Sequence, residues 1–119
     1  KSSIKVSKEY LNKQFLFLEN IYNSGKGFQT NILKKEKIIY SSFFSHHNNT
    51  ACYLYGAGDY SIKERLSGTY CIWKSLEKCI EKKIHTVDME GVNSPKRGSF
   101  KTTFGGDLKN YYNLKIKLN

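Results

Sequence analysis

Two acidic side chains follow an apolar run of the sequence, at a point where a strand is expected to pass into a loop. Asp88 and Glu90 stand at the carboxyl end of the segment IHTVDM. In layered α/β folds, ligands bind beyond the carboxyl ends of strands, because backbone groups and helix amino termini face outward there. The position of the two carboxylates therefore predicts a binding site, while the alternative role for Asp88 is to cap a turn.

The loop after this strand brings several kinds of polar group together within a few residues. It supplies an amide, a hydroxyl and two cationic groups, from Asn93, Ser94, Arg97 and Lys101. An oxyanion, or a substrate that carries a carboxylate, needs such a mixture of donors. These residues are therefore candidates for a substrate site, and the alternative for Lys101 is an ordinary surface lysine.

The segment RGSFKTTFGGDL, residues 97–108, combines basic, aromatic and glycine residues. Glycine is unfavourable in strands, and a helix of this composition is expected to be short and to end at Gly105. We expect Phe100 and Phe104 to anchor this helix to the core. Gly105 and Gly106 are expected to let the chain reverse tightly after it.

The cysteine and histidine pattern does not predict a metal site. The chain has three cysteines, none of them in a C-x-x-C pair, so reduced thiols are expected rather than a disulfide framework or a zinc site. His46 and His47 are adjacent, and adjacent side chains of a strand point to opposite faces. Both histidines are therefore not expected to converge with Cys52 on one ion, and a turn at residues 46–50 is predicted instead.

Length and charge limit the class of protein. The chain has 119 residues, which suits one domain over residues 1–119, and a formal net charge of +10. Its lysines are spread out and arginine occurs only at Arg65 and Arg97, so a solvated lysine surface is favoured over a dedicated nucleic-acid surface. The charge also suits a polyanionic or tRNA-borne substrate. No apolar run of about 18 residues indicates a transmembrane segment, and a cytoplasmic protein, free or at the inner face of the membrane, is expected.

The amino-terminal segment is predicted to be a helix over residues 8–23. Apolar residues recur there at helical spacing, and Gly25 and Gly27 follow. The apolar stripe consists of Leu11, Phe15, Leu18 and Tyr22. Because Glu19 and Asn20 lie beside the stripe and no basic rim borders it, we expect core packing rather than binding to a membrane surface.

Three strands and a second helix are predicted next. Residues 28–33, 38–44 and 51–57 are expected to form antiparallel strands joined by the polar turns KKEK and HHNNT. Residues 69–83 are expected to form a helix with Ser67 as its N-cap. The core-facing side of that helix is predicted to carry Trp73, Leu76 and Ile80.

The remaining elements complete an α+β fold. A strand within residues 84–89 is expected to lie beside the third strand, since a helix connects the two. Residues 112–118 alternate in polarity and predict a closing antiparallel strand. The predicted architecture is thus a mixed sheet, made of an antiparallel hairpin stack with a crossover helix and packed helices.

Two motifs in the carboxyl-terminal part occur in a fixed order, a D-x-x-G after a strand and then F-K-x-x-F-G-G with an aromatic pair behind it. The residues that make up this pattern are Asp88, Gly91, Gly98, Phe100, Lys101, Phe104, Gly105, Gly106, Tyr111 and Tyr112. The pattern resembles the carboxyl-terminal part of the Fem-like (FemABX) peptidoglycan-bridge aminoacyltransferases, which have the Gcn5-related N-acetyltransferase (GNAT) fold. The segments YLYGAGD and LSGTYCIWKSLEKCIEKK are similar to that family's central strand and helix.

The resemblance implies a bacterial acyltransferase of cell-wall biogenesis. An aminoacyl group from tRNA, or an acetyl group from acetyl-CoA, would pass to an amino group of a peptidoglycan precursor or a nucleotide sugar. Lys101 would then hold the acceptor or the developing oxyanion, and Asp88 or Glu90 would steer or deprotonate the amine. The substrate would be bound by Asn93, Ser94, Arg97, Gly105 and Gly106. No tightly bound cofactor and no metal are expected.

The sequence departs from the family pattern in several places. GAGDYSIKERLSG lacks the usual glycine spacing of a pyrophosphate loop, so the donor stays open between acetyl-CoA and aminoacyl-tRNA. Ser99 and Phe100 lie near the place of a tyrosine that such enzymes often use as general acid, and Thr103 replaces a glycine before Phe104. The fold's first strand and helix would precede Lys1, so we expect the carboxyl-terminal portion of a longer enzyme, with a missing amino-terminal domain as its partner.

Two other functions stay open at this point. One is an acetyl-CoA-dependent sugar N-acetyltransferase of surface-polysaccharide synthesis, which shares the fold and differs in donor and acceptor. The other is a non-catalytic basic module that binds RNA or docks a protein partner. Steeply salt-dependent binding spread over many lysines would favour the RNA-binding module.

Overall fold

The computed structural model describes residues 7–62, 64–91, 95–110 and 114–118. Its elements are α1 (Lys8–Asn23), β1 (Gly27–Lys34), β2 (Lys37–His47), β3 (Thr50–Gly58), α2 (Ser67–Glu81), β4 (Thr86–Asp88) and α3 (Pro95–Thr102). The sheet has the order β1-β2-β3-β4, with β1 to β3 antiparallel and β4 parallel to β3. The predicted α+β class, hairpin stack and crossover helix are confirmed.

Two tight turns join the three antiparallel strands. Lys35 and Glu36 have φ values of 50° and 65°, and Asn48 and Asn49 have φ values of 49° and 66°. Two successive left-handed residues match the twist of a hairpin, and asparagine tolerates this conformation well. The second turn has fewer residues than the predicted 46–50, because His46 and His47 still belong to β2.

The core lies between α2 and one face of the sheet. Phe44 is fully buried, and its ring stacks on Phe28 with centroids 5.6 Å apart. Ile72 and Cys79 of α2 pack against this pair, as does Ala51 of β3. Burial of these apolar side chains is the main force that holds α2 on the sheet.

A buried polar cluster sits within the same interface. The Ser75 hydroxyl on α2 lies 2.8 Å from Ser42 Oγ and 2.9 Å from Thr30 Oγ1, and it donates to the Cys71 carbonyl at 2.9 Å. Buried hydroxyls cost stability unless they are hydrogen-bonded. The cluster therefore favours one register of α2 on β1 and β2.

Helix α2 differs from the prediction in its buried face and in its cap. The buried residues are Cys71, Ile72, Ser75 and Cys79, whereas Trp73 is 49% exposed and Ile80 is 73% exposed. Of the predicted face, Leu76 packs against the core as expected, whereas Trp73 and Ile80 do not. The small side chains of Cys71, Ser75 and Cys79 allow the other face of α2 to approach the sheet closely. Ser67 is the first helical residue, and the N-cap is Leu66, which makes no side-chain capping bond.

Helix α1 has the predicted bounds but does not pack as predicted. It has no buried residue, and Leu11, Phe15 and Tyr22 are all more than half exposed. Its contact with the sheet runs through Ile21, which lies close to Gly27, and through Gln14, which accepts a hydrogen bond from the Tyr55 hydroxyl. The expected core stripe was wrong because a glycine in β1 gives α1 a narrow contact centred on other residues.

The carboxyl-terminal residues do not form the predicted closing strand where they are described. Residues 114–118 belong to no strand, and Leu114, Ile116 and Leu118 are exposed. Alternating polarity alone does not make a strand without a neighbour to pair with.

Upstream, Gly105 has the left-handed φ of 81° that the predicted chain reversal requires. Of the described helices, none has both the length and the apolar character to cross a membrane.

Candidate active site

Strands β3 and β4 run parallel for only three residue pairs and then separate. Thr50, Ala51 and Cys52 pair with Thr86, Val87 and Asp88. Strand β3 continues to Gly58, and in the part of the chain that is described no strand pairs with this edge beyond Cys52. We call the opening between the β3 edge at residues 53–58 and the chain after Asp88 the notch. Its free backbone groups offer hydrogen bonds to an extended ligand.

The two predicted carboxylates meet a thiol at the closed end of the notch. The Cys52 thiol donates a hydrogen bond to Glu90 Oε1 at 2.5 Å, and the Glu90 amide donates to Asp88 Oδ1 at 2.8 Å. Glu90 has a left-handed φ of 65°, which turns the chain back toward β3. The structure therefore brings Asp88 and Glu90 together around Cys52.

The environment of Cys52 keeps its thiol protonated. Burial raises the pKa of the Cys52 thiol to about 12, and the hydrogen bond and charge of Glu90 act in the same direction. Its sulfur and one oxygen from each carboxylate lie within 4.8 Å of one another, a set that is able to ligate a metal. Metals bind the thiolate rather than the thiol, and both acids are exposed, so this set alone does not identify a metal site.

Lys101 reaches the notch from helix α3. Its Nζ donates to the Gly91 carbonyl at 3.0 Å and lies 5.5 Å from the centroid of the Tyr53 ring. The charge of Lys101 is close enough to Cys52 to oppose the rise of that thiol's pKa. One predicted cation and two predicted carboxylates thus share one small region.

Helix α3 is held in place by aromatic contacts, as the sequence predicts. Phe100 and Phe104 pack against the core, and their ring centroids lie 5.3 Å apart. The Trp73 ring of α2 meets Phe104 edge-on at 5.3 Å. Trp73 therefore packs on α3 and not on the sheet, which explains why this large side chain lies on the outer face of α2.

The start of α2 and the end of β3 both lie against the Tyr40 ring of β2, because each has a glycine at the contact. A Cβ at Gly68 would stand 3.1 Å from ring atoms of Tyr40, and a Cβ at Gly58 would stand 2.7 Å from the same ring. Burial raises the pKa values of Tyr40 and of Tyr53 beside it. Two neutral tyrosine side chains, Tyr40 and Tyr53, therefore lie between α2 and the notch.

Among the described residues no side chain caps the amino terminus of α2, so its first amides are able to bind an anion. Leu66 adopts a left-handed φ of 69°, and α2 has neither a side-chain cap nor an acid in its first turn. Arg65 precedes it, while the nearby Glu64 is paired with Lys34 at 2.5 Å. Uncapped amides and the helix dipole attract phosphate groups at such a position.

A cavity of about 380 Å³ opens on the α1 side of the sheet and reaches Cys52. Lys26, Ser45, His47 and Thr50 are among the residues that line it. It therefore has cationic and hydroxyl groups at its walls and the Cys52 thiol beside the two carboxylates. Its exposed lining is mostly apolar, and Lys26 is the lining group that favours an anion.

The other predicted site residues have different outcomes. Asn93 and Ser94 lie outside the described residues. Arg97 is exposed, and its charge acts on Tyr53 at the notch. Gly105 and Gly106 are exposed, with no atom within 4 Å of an added Cβ, and their role in binding stays a prediction.

The sequence considered alone placed neither Cys52 nor Tyr53 at the site, and Cys52 was weighed only as a metal ligand. Both lie in the segment ACYLYGA, whose strand was predicted correctly. The predicted placement of residues 84–89 beside the third strand implies that one residue near the start of β3 lies opposite Asp88. Without a register, the sequence does not show which residue that is.

The fold resembles that of solved N-acetyltransferases. A predicted acetyltransferase from Clostridium acetobutylicum, solved with acetyl-CoA, matches with a TM-score of 0.74 and 10% identity, over 98% of this chain and 79% of its own. The PaiA N-acetyltransferase from Thermoplasma acidophilum, solved with coenzyme A, matches with a TM-score of 0.66 and 14% identity, over 90% and 74%. Glucosamine-6-phosphate N-acetyltransferase from Arabidopsis thaliana matches with a TM-score of 0.65 and 15% identity, over 98% and 82%.

These likenesses identify the N-acetyltransferase fold, which is the fold that the sequence resemblance implied. They do not extend to the Fem-like branch. No protein-family model matches the sequence, and the comparison with curated proteins finds no match.

Proposed function

We propose that this chain is an acyltransferase that moves an acetyl group from acetyl-CoA to the primary amine of an acceptor. The observation that carries the proposal is the notch, where a parallel strand pair separates beside an uncapped helix amino terminus. Carboxylates and an ammonium group stand at its closed end. The comparisons support the proposal through the fold, and two of the matched proteins were solved with coenzyme A or acetyl-CoA.

The residues around the notch fit the donor. The first amides of α2, with Arg65 beside them, would hold the pyrophosphate. The free β3 edge at residues 53–58 would pair with the amide groups of the pantetheine arm, as a sheet edge pairs with an extended peptide. The glycine spacing that the sequence lacks is therefore not essential, because Leu66 takes up the left-handed turn before the helix.

The closed end of the notch supplies the groups that acetyl transfer needs. The acceptor nitrogen attacks the thioester carbonyl, a C–N bond forms, and the C–S bond breaks to release the thiolate. Glu90 or Asp88 would take the proton that the nitrogen loses. The Lys101 ammonium would stabilise the negative charge on the carbonyl oxygen, since only one of its protons is used by Gly91. The thiolate takes its proton from solvent.

We place the acceptor in the cavity beside Cys52. Lys26 at its wall favours an acceptor with a phosphate or carboxylate group as well as an amine. One matched structure is a glucosamine-6-phosphate N-acetyltransferase. An amino sugar that carries phosphate, such as a nucleotide sugar, is therefore the acceptor class that we propose.

The finer assignment to peptidoglycan-bridge synthesis rests on the sequence motif. The Phe-Lys pair at Phe100 and Lys101, and the Phe-Gly-Gly at Phe104 to Gly106, lie on and after α3 beside the notch. With an aminoacyl-tRNA donor, the same closed end would transfer an aminoacyl group to a cell-wall precursor. The net charge of +10 suits a tRNA-borne donor.

The experiment that tests the proposal measures donor binding and turnover separately. Acetyl-CoA should raise the melting temperature in a saturable way, because a ligand that binds only the folded state stabilises it. Coenzyme A release should then depend on an added amine, tested with glucosamine, glucosamine 6-phosphate and an amino nucleotide sugar. A folded chain that neither gains stability from acetyl-CoA nor releases coenzyme A would contradict the proposal. An aminoacyl-tRNA donor or a non-catalytic role would then be tested in its place.

A further inference from the structure

A cysteine that the proposed chemistry does not use lies in contact with its base. Cys52 is directly opposite Asp88 in the last pair of β3 and β4, and its thiol donates to Glu90 Oε1 at 2.5 Å. The thiol is half-buried, while Glu90 is exposed. The contact therefore joins a well-packed strand to a side chain that would otherwise move freely.

We propose that Cys52 is a positioning residue, which holds one carboxylate oxygen of Glu90 so that the other oxygen faces the acceptor amine. The inference rests on the proposed acetyl transfer and adds a residue to its machinery. Within the described residues no donor is hydrogen-bonded to Glu90 Oε2. That oxygen is thus available to take the proton of the amine.

Physical reasons favour a thiol anchor at this position. Glu90 follows the end of β4 by two residues, so no strand pairing fixes it. Ordering a free glutamate side chain costs rotamer entropy, and a fixed partner supplies that ordering before the substrate binds. The Glu90 backbone is held as well, because its amide donates to Asp88.

The same environment argues against Cys52 as a carrier of the acyl group. A cysteine nucleophile reacts as the thiolate. Burial and the two neighbouring carboxylates hold the Cys52 thiol in its protonated form, with a pKa of about 12. A protonated thiol is a donor throughout the neutral pH range, which is the property that an anchor needs.

Replacing Cys52 separates the two roles. Cys52→Ala removes the donor, and we expect kcat to fall about 10- to 100-fold with little change in KM. Cys52→Ser keeps a donor and should retain kcat within about threefold. Thr86→Ala, on the exposed side of β4, is the matched control and should behave as the wild type.

Three kinetic outcomes would overturn the inference. An unchanged kcat in Cys52→Ala would show that Glu90 needs no anchor. A loss of activity in Cys52→Ser as deep as in Cys52→Ala would point to a covalent role for the thiol. A fall in kcat for Cys52→Ala that comes with an equally large rise in KM would indicate general structural damage.

A second measurement follows the contact without using activity. Alkylation of the wild-type chain by iodoacetamide is compared with that of Glu90→Gln by intact mass. Removing the carboxylate should lower the pKa of the Cys52 thiol, and alkylation should become about tenfold faster for each pH unit by which that pKa falls. The other two cysteines are buried and serve as internal references.

The two measurements separate the two proposals. A wild-type chain that transfers no acetyl group would refute the proposed function, and the role of Cys52 with it, even if alkylation upholds the contact. If the wild-type chain is active but Glu90→Gln leaves the alkylation rate unchanged, only the role of Cys52 is refuted.

Discussion

The Nζ atom of Lys101 lies 5.5 Å from the centroid of the Tyr53 ring, so α3 places a cation against the edge of β3 where β4 has ended. The Gly91 carbonyl accepts a hydrogen bond from the same Nζ at 3.0 Å. The lysine is thereby fixed from two sides, by a strand and by the loop after β4. A cation held in this way needs little rearrangement to meet a developing negative charge.

Replacing this lysine should reduce activity more than stability. Lys101→Ala removes the ammonium that we assign to the carbonyl oxygen, and kcat/KM is expected to fall about 100-fold. The lost contact with Tyr53 is worth about 0.5–1 kcal/mol, so the melting temperature should change by only a few degrees. Coenzyme A release and thermal unfolding measure the two effects. Lys109→Ala, at an exposed lysine after α3, is the control, and full activity in Lys101→Ala would remove this residue from the mechanism.

A new acid at the start of α2 should stabilise the fold and weaken donor binding. Ser67→Asp places a carboxylate in the first turn, which favours the helix by about 0.3–1 kcal/mol. The same charge repels the pyrophosphate of acetyl-CoA, so Kd should rise about tenfold or more. Calorimetric titration with acetyl-CoA and thermal unfolding together test these opposite signs. Asn12→Asp on α1 carries the same charge change away from the notch, and equal weakening by both variants would argue against a donor site at α2.

The sequence predicted the elements that position the site because their signals are local. The approximate extents of the strands and helices follow from residue type and spacing, although β2 continues to His47 and α2 begins at Ser67. Strand β4 was placed correctly beside β3. The anchoring of α3 by Phe100 and Phe104 was also confirmed. The carboxylates and Lys101 were found as candidates for the same reason, since the acids lie at the end of a strand and the lysine lies on a short helix after it.

The remaining features depend on register and on close packing, which residue type alone does not reveal. Cys52 meets Glu90 because of one pairing between β3 and β4. Most of the apolar stripe of α1 is exposed, because α1 meets the sheet through Ile21 and Gln14 instead. Hydrophobicity identified neither fact, because both depend on the partner surface rather than on the segment itself.

The close approach of α1 to the sheet predicts a strong effect at one glycine. A Cβ at Gly27 would stand 2.6 Å from Ile21 Cγ2 and 2.8 Å from Phe43 Cζ. Gly27→Ala should therefore destabilise the fold by about 1–3 kcal/mol through overpacking. Gly106→Ala, where an added Cβ meets nothing within 4 Å, is the matched control. Urea unfolding of both variants measures the difference, and equal midpoints would show that α1 does not rest on Gly27.

Stability should fall in alkaline solution through the Cys52 thiol. Its pKa is raised from 9.0 to about 12 in the folded chain. Between these two pH values the unfolded chain releases a proton that the folded chain keeps, so the free energy of unfolding decreases as pH rises. Below pH 9 the thiol makes its full contribution to the free energy of unfolding. Cys52→Ser lacks this group and should lose stability less steeply between about pH 9 and 10, before the tyrosines of the unfolded chain titrate. Urea unfolding at each pH gives both slopes. Parallel slopes would mean that the folded environment does not hold the Cys52 proton, and the hydrogen bond to Glu90 would lose its support.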